Sequence, residues 1–222
     1  MNPSLSIDVY VDFICPWCLI GKRQLQRALA QLREARPEVV INLAWQGVQL
    51  LPDMPVAGQP FAAFYQRRLG SDEAVRQRQA QVQEAASAVG EQLDFSRIAR
   101  MPNTADAHRL LLHAAELGSE QQLEALLERL FAAYFRLGED LGDRATLLRI
   151  AEQCGFAPAA MAGSLRGDGR PFASASANIA SRGVPCFVFD DHLPVFGAQP
   201  PEALLDAMQL ALSRSAAAGA DA

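Results

Sequence analysis

The chain has 222 residues, half of them apolar, and carries a net charge of −5. That is ample for the core of one domain, or of one domain with a large insertion. The acidic balance gives no electrostatic footprint for nucleic acid, and no stretch reaches the roughly 18 uninterrupted apolar residues of a membrane span.

Met1–Ser6 lacks the basic and apolar regions of a targeting signal, so a cytoplasmic location is the expectation. Ile7–Ile14, rich in β-branched and aromatic residues, predicts a strand. Cys15-Pro16-Trp17-Cys18 follows at once. Behind it Leu19, Ile20, Leu25, Ala28, Leu29 and Leu32 recur at helical spacing, with Lys22, Arg23, Gln26 and Arg27 between them. The two cysteines therefore stand at a strand-to-helix junction. Unpaired N–H groups and the positive end of the helix dipole favour an anion at Cys15. Pro16 suits the first helical position. Cys15 is expected to be accessible and Cys18 to be the more buried. Asp12, just ahead, reads either as a proton acceptor near Cys18 or as a solvent-facing strand end.

Glu38–Trp45 predicts the second strand, completing a βαβ unit, and the prolines of Leu50–Pro60 mark a boundary. From Phe61 to Ser181 the pattern is helical. Helices are predicted over Phe61–Leu69, Asp72–Val89, Thr104–Leu117, a stretch capped by Ser119 and Gln122 that runs to Leu137, Arg144–Gln153 capped by Asp143, Pro158–Leu165 and Phe172–Ser181. Arg109, Glu116, Glu120 and Glu124 read as a solvated face, and Cys154 as a small buried residue. Val184–Phe189 and Leu193–Phe196 predict two strands with a turn at Asp190–His192. An amphipathic helix follows over Glu202 to about Leu212, and then an Ala-rich, frayed tail. The chain ends thus supply βαβ and ββα pieces around a helical block.

These residues resemble a known family. Cys15-Pro16-Trp17-Cys18 and a later Gly183-Val184-Pro185 are similar to the DsbA-like branch of the thioredoxin superfamily. More narrowly the chain resembles the FrnE-type group, related to 2-hydroxychromene-2-carboxylate isomerases and kappa-class glutathione transferases. The stations that carry this are Cys15–Arg23, Leu51–Pro55, Asn103–Leu110, Leu130–Phe135 and Gly197–Pro200. The resemblance implies an α/β thioredoxin fold with a large all-helical domain inserted between the second and third strands. Residues 1–55 and 182–215 would form the discontinuous thioredoxin-like domain, 56–181 the insert, and 216–222 a disordered tail.

It further implies a thiol–disulfide oxidoreductase in which Cys15 is the nucleophile, Cys18 the resolving thiol and Cys15–Cys18 the redox-active disulfide. A cis Val184–Pro185 bond would face the pair, with Pro16, Trp17, Val184, Asn103 and His108 in the substrate groove. For Asn103 a helix cap, and for His108 a satisfied core hydrogen bond, are the competing readings. No cofactor is expected beyond the disulfide, with glutathione admissible as co-substrate. Partners would be protein or small-molecule thiols and disulfides, without nucleic acid or membrane, and a homodimer is compatible. Zinc wants four ligands, and no second CxxC or HxxxH supplies them. Two other functions fit the motif less closely: a glutathione-dependent isomerase or transferase, whose relatives place serine where Cys15 stands, and a redox-independent, holdase-like peptide binder. Cys186 is unusual after the strand-opening proline, and strand alternation turns it away from the cysteine pair.

Overall fold

The computed structural model describes residues 3–173 and 182–220. It divides into two compact units, one of Met1–Val11, Trp17–Gln46 and Ser176–Ala222, the other of Asp12–Pro16 and Gly47–Ala175.

The first unit is built on a four-stranded sheet in the order β2-β1-β5-β6. β1 (Ser4–Val11) lies inside the sheet, and its last three residues are all buried, as expected of a strand covered on both faces. The helix α1 (Pro16–Ala35) buries Cys18, Leu19, Ile20, Leu25, Ala28, Leu29 and Leu32, together with Lys22. Lys22 was expected on a polar face. Its ammonium lies 5.7 Å from the centre of the Trp45 ring, so stem and head both lie against apolar surface.

β2 (Val40–Gly47) starts two residues later than the pattern suggests. Arg36–Val39 close a turn first, with Val39 N–H on the Arg36 carbonyl at 3.1 Å. Val40 N–H then reaches the Pro3 carbonyl at 2.9 Å, which sets the starts of β1 and β2 side by side. β5 (Cys186–Phe189) runs antiparallel to β1, with Tyr10 opposite Cys186, and β6 (Leu193–Phe196) returns beside β5. Asp190 and Asp191 make the turn at φ 46° and 63°, a conformation that aspartate tolerates better than bulkier residues. The C-terminal helix, Pro201–Ala220, packs on β1, β5 and β6. Its backbone continues well past Leu212 through the Ala-rich stretch read as frayed, because alanine has the highest helix propensity.

The second unit holds the block that follows β2 in sequence. Among its described residues the regular structure is helical except for one two-residue pair, β3 (Gln59–Pro60) with β4 (Arg100–Met101). The helices are α2 (Phe61–Leu69), α3 (Asp72–Ala88), α4 (Ala105–Leu117), α5 (Glu120–Phe135), α6 (Arg144–Gln153) and the short α7 (Pro158–Met161). α4 and α5 pack along a core that includes Ala107, Leu110, Leu111, Leu127, Leu130 and Phe131. Ser119 and Gln122 form a reciprocal capping box, and Asp143 accepts from Thr146 N–H. Of the helix expected over Phe172–Ser181, Phe172 and Ala173 have no regular structure and the remainder lies outside the described residues.

Arg109 is buried, contrary to the solvated face expected of it. Its guanidinium donates to Asp106 at 2.7 Å and to the carbonyls of Arg170 and Pro171. Asp106 in turn accepts from the N–H groups of Arg166 and Gly167 at 3.0 and 2.8 Å. Together the two side chains fasten the segment 166–171 onto α4. Burial works to raise the Asp106 carboxyl, but the Arg166 and Gly167 N–H groups and the Arg109 charge outweigh it and hold it below the ordinary 3.8. A depressed carboxyl stabilises the fold above its unfolded-state value, and that contribution is lost as pH falls through the folded one. Asp106→Asn is therefore expected to cost roughly 2 kcal/mol at pH 7, since it opposes N–H to N–H. It should also flatten the acid loss of stability below pH 4, as read from urea midpoints across pH.

Candidate functional site

The boundary between the two units falls inside the motif, after Pro16, and each half has its own surroundings. No disulfide joins any two of the four cysteines. Cys18 lies in the first turn of α1 and is wholly buried. Cys15 is 7% exposed, so the expected accessible thiol is instead a buried one. The cause is local. Cys15 N–H donates to the Asp12 carbonyl at 3.1 Å, closing a turn in which Asp12, Phe13 and Ile14 are buried as well.

Asp12 is not the solvent-facing strand end that was one of its two readings. Its carboxylate is fully buried and collects donors from three stretches of chain. Leu50 N–H donates at 2.7 Å, Ile14 N–H at 3.4 Å and Thr104 Oγ1 at 3.5 Å. His108 Nε2 stands 3.3 Å from Oδ1. The His108 ring is stacked between Phe13 and Phe172, with centroids 4.8 and 5.3 Å away. Gly47 leaves it room, since a Cβ there would come within 2.6 Å of His108 Nδ1. Among the described residues His108 thus sits in a buried aromatic column without the satisfied hydrogen bond of its competing reading.

Asn103 is a cap and a knot. Its Oδ1 accepts from Ala105 N–H at 3.0 Å and from Gln49 Nε2 at 3.1 Å, while Nδ2 donates to the Met54 carbonyl at 2.6 Å. Gln49 Oε1 also accepts from Phe172 N–H at 2.7 Å. Gln49 and Gly47 went unremarked in the sequence, and Phe172 was read only as a helix start, since all their partners here are far away along the chain. On α2, Tyr65 is pushed up by burial first and then by the negative charge that Cys15 carries when ionised.

Pro16, which closes the second unit's stretch of the motif, and Trp17, which opens the first unit's, are each half-buried. The Val184–Pro185 peptide bond is cis and Pro185 is buried. The Pro185 ring lies against α1 one turn past Cys18, where a Cβ added to Gly21 would meet Pro185 Cγ at 2.8 Å. Cys186 begins β5 between Tyr10 and Phe196 with no exposed surface. Cys154, by contrast, is only partly buried.

Burial pushes the Cys186 thiol up from 9.0 to about 11, with the Arg182 charge partly opposing it. A raised group favours the fold fully below its unfolded-state value, and that contribution is lost as pH climbs through the folded one. Stability should therefore fall between pH 9 and 11, and less steeply in Cys186→Ala. Cys186→Ala itself is expected to cost about 1 kcal/mol at pH 7 through lost packing. Thermal denaturation of both proteins across that range checks it.

Among the described residues no three His, Cys, Asp or Glu side chains are grouped to hold a metal ion, and no helix is long and apolar enough to cross a membrane. Residues 6–209 match the model of the DSBA-like thioredoxin domain. Among solved structures, the chain is similar to a protein described as a probable DsbA oxidoreductase from Streptomyces coelicolor, at 27% identity and a TM-score of 0.76, covering 94% of this chain and 90% of that one. A 2-hydroxychromene-2-carboxylate isomerase is similar at 16% identity and a TM-score of 0.59, over 97% and 98% of the two chains. The cytosolic disulfide reductase DsbM of Pseudomonas aeruginosa, solved with glutathione, is similar at 18% identity and a TM-score of 0.57, over 96% and 98%. At those identities the last two show a shared fold. With more than nine-tenths of its length matching the family model, the chain belongs to the DsbA-like thioredoxin domain family.

Proposed function

We propose that the protein is a thiol–disulfide oxidoreductase with Cys15 as nucleophile and Cys18 as resolving thiol. The observation that carries this reading is the placement of Cys15 immediately ahead of α1, with Cys18 inside the first helical turn, in a chain of the DsbA-like family. Unpaired N–H groups at a helix start favour a thiolate over a thiol.

In the reducing direction the Cys15 thiolate attacks one sulfur of a substrate disulfide. A mixed disulfide forms, and the other substrate sulfur leaves as a thiolate that takes up a proton. Cys18 then loses its proton and attacks the Cys15 sulfur, the Cys15–Cys18 disulfide forms, and the second substrate thiol departs. The substrate gains two electrons and the dithiol loses two. The oxidising direction runs the same steps backwards. Glutathione is the small thiol that would recycle the pair in a cytoplasmic setting. Trp17 would offer the substrate an apolar platform, and the backbone at Val184 would pair with an extended segment of it.

The test is turnover of a model dithiol peptide in glutathione redox buffers, with alkylatable thiols counted by gel shift. Wild-type protein is expected to interconvert between two more and two fewer free thiols, and Cys15→Ser to lose turnover to background. Retained turnover in Cys15→Ser overturns the proposal.

A further inference from the structure

We propose that His108 is a positioning residue for Cys15, acting through Asp12. The inference takes from the proposed function only that Cys15 is the reacting thiol.

His108 is 1% exposed, and among the described residues neither ring nitrogen has an aligned hydrogen bond. A buried polar atom in that state costs stability and calls for an explanation. Packing does not supply one. Phe13 and Phe172 stack on the two faces of the ring, and a phenylalanine in the same slot would stack as well and orphan no polar atom. What imidazole adds is its polar edge. Nδ1 is set against the Gly47 backbone, where even a methyl group would not fit, while Nε2, 3.3 Å from Asp12 Oδ1, is the edge that can offer this acid a proton. A fully buried carboxylate needs every donor it can gather.

The same Asp12 forms the turn that presents Cys15. Its side chain takes Ile14 N–H and its carbonyl takes Cys15 N–H. With the His108 edge gone, the carboxylate gains by moving toward water, and the turn moves with it. The sulfur then leaves the place in which exchange requires it, and misplacing a reacting atom is costly in rate.

The experiment is alkylation of the reduced full-length protein with iodoacetamide, mapped to Cys15 by mass spectrometry. His108→Phe keeps the stack and removes the N–H, and it should speed Cys15 alkylation by about three- to tenfold because a loosened turn exposes a buried thiol. His108→Gln, which returns an N–H near the Nε2 position, should remove at least half of that effect. Asp12→Asn should speed alkylation too, and the Asp12→Asn, His108→Phe double variant should be no faster than Asp12→Asn alone, the non-additivity expected of residues acting in series. A His108→Phe rate equal to wild type, a His108→Gln rate equal to that of His108→Phe, or multiplicative effects in the double variant overturn the proposal. If His108→Phe does not fold, wild-type protein labelled with ¹⁵N-histidine decides. The Nε2 resonance of His108 should shift when Cys15 is carbamidomethylated, and an unmoved resonance overturns the proposal. None of these readings needs turnover, so failure of the oxidoreductase reading would appear separately, as turnover retained in Cys15→Ser.

Discussion

A carboxylate with no exposed surface has to be surrounded by donors, and Asp12 obtains them from the end of β1, the segment after β2 and the start of α4. Removing an ion from water costs several kcal/mol even after relaxation, so these contacts are a condition of folding rather than an ornament. The second unit is arranged accordingly. Leu50 N–H points at Asp12 from a loop whose neighbour Gln49 is fixed to Asn103. Thr104 and His108, one turn apart on α4, both face the same acid.

α4 thereby does two jobs with adjacent residues. Asn103, Thr104 and His108 look toward the Cys15 turn and its supports, while Asp106 and Arg109 hold the segment 166–171. Phe172 joins the two tasks, since its N–H is on Gln49 and its ring is on His108. Single substitutions in the first two turns of α4 will therefore seldom have one effect, and non-additivity is the expected signature.

Much of this was legible in the residues because much of it is local. Asp143 ahead of Arg144, Ser119 three places before Gln122 and the strand pattern around Cys186 each act over a few residues, and the structure places these elements within a residue or two of expectation. Arg109 failed for the opposite reason. Its carbonyl partners lie some sixty residues away, and the only nearby hint was an acid three positions earlier on the same helix face. Asp12 failed likewise, since a lone acid at a strand end gives no sign that Leu50 and Thr104 will fold over it. Lys22 shows a third kind of limit. Periodicity assigns a charged residue to the outside, yet a long apolar stem next to an indole lets it stay inside.

The electrostatics around Cys15 follow from the same contacts. The start of α1 offers the equivalent of about half a positive charge, and Pro16 and Trp17 add none. Within the same turn Asp12 brings a fully buried carboxyl group. The Leu50 and Ile14 N–H groups and the Thr104 hydroxyl donate to it. Asp12, and with it the turn that ends in Cys15, therefore depends on Thr104, 92 residues further along the chain, as much as on the helix that the cysteine precedes.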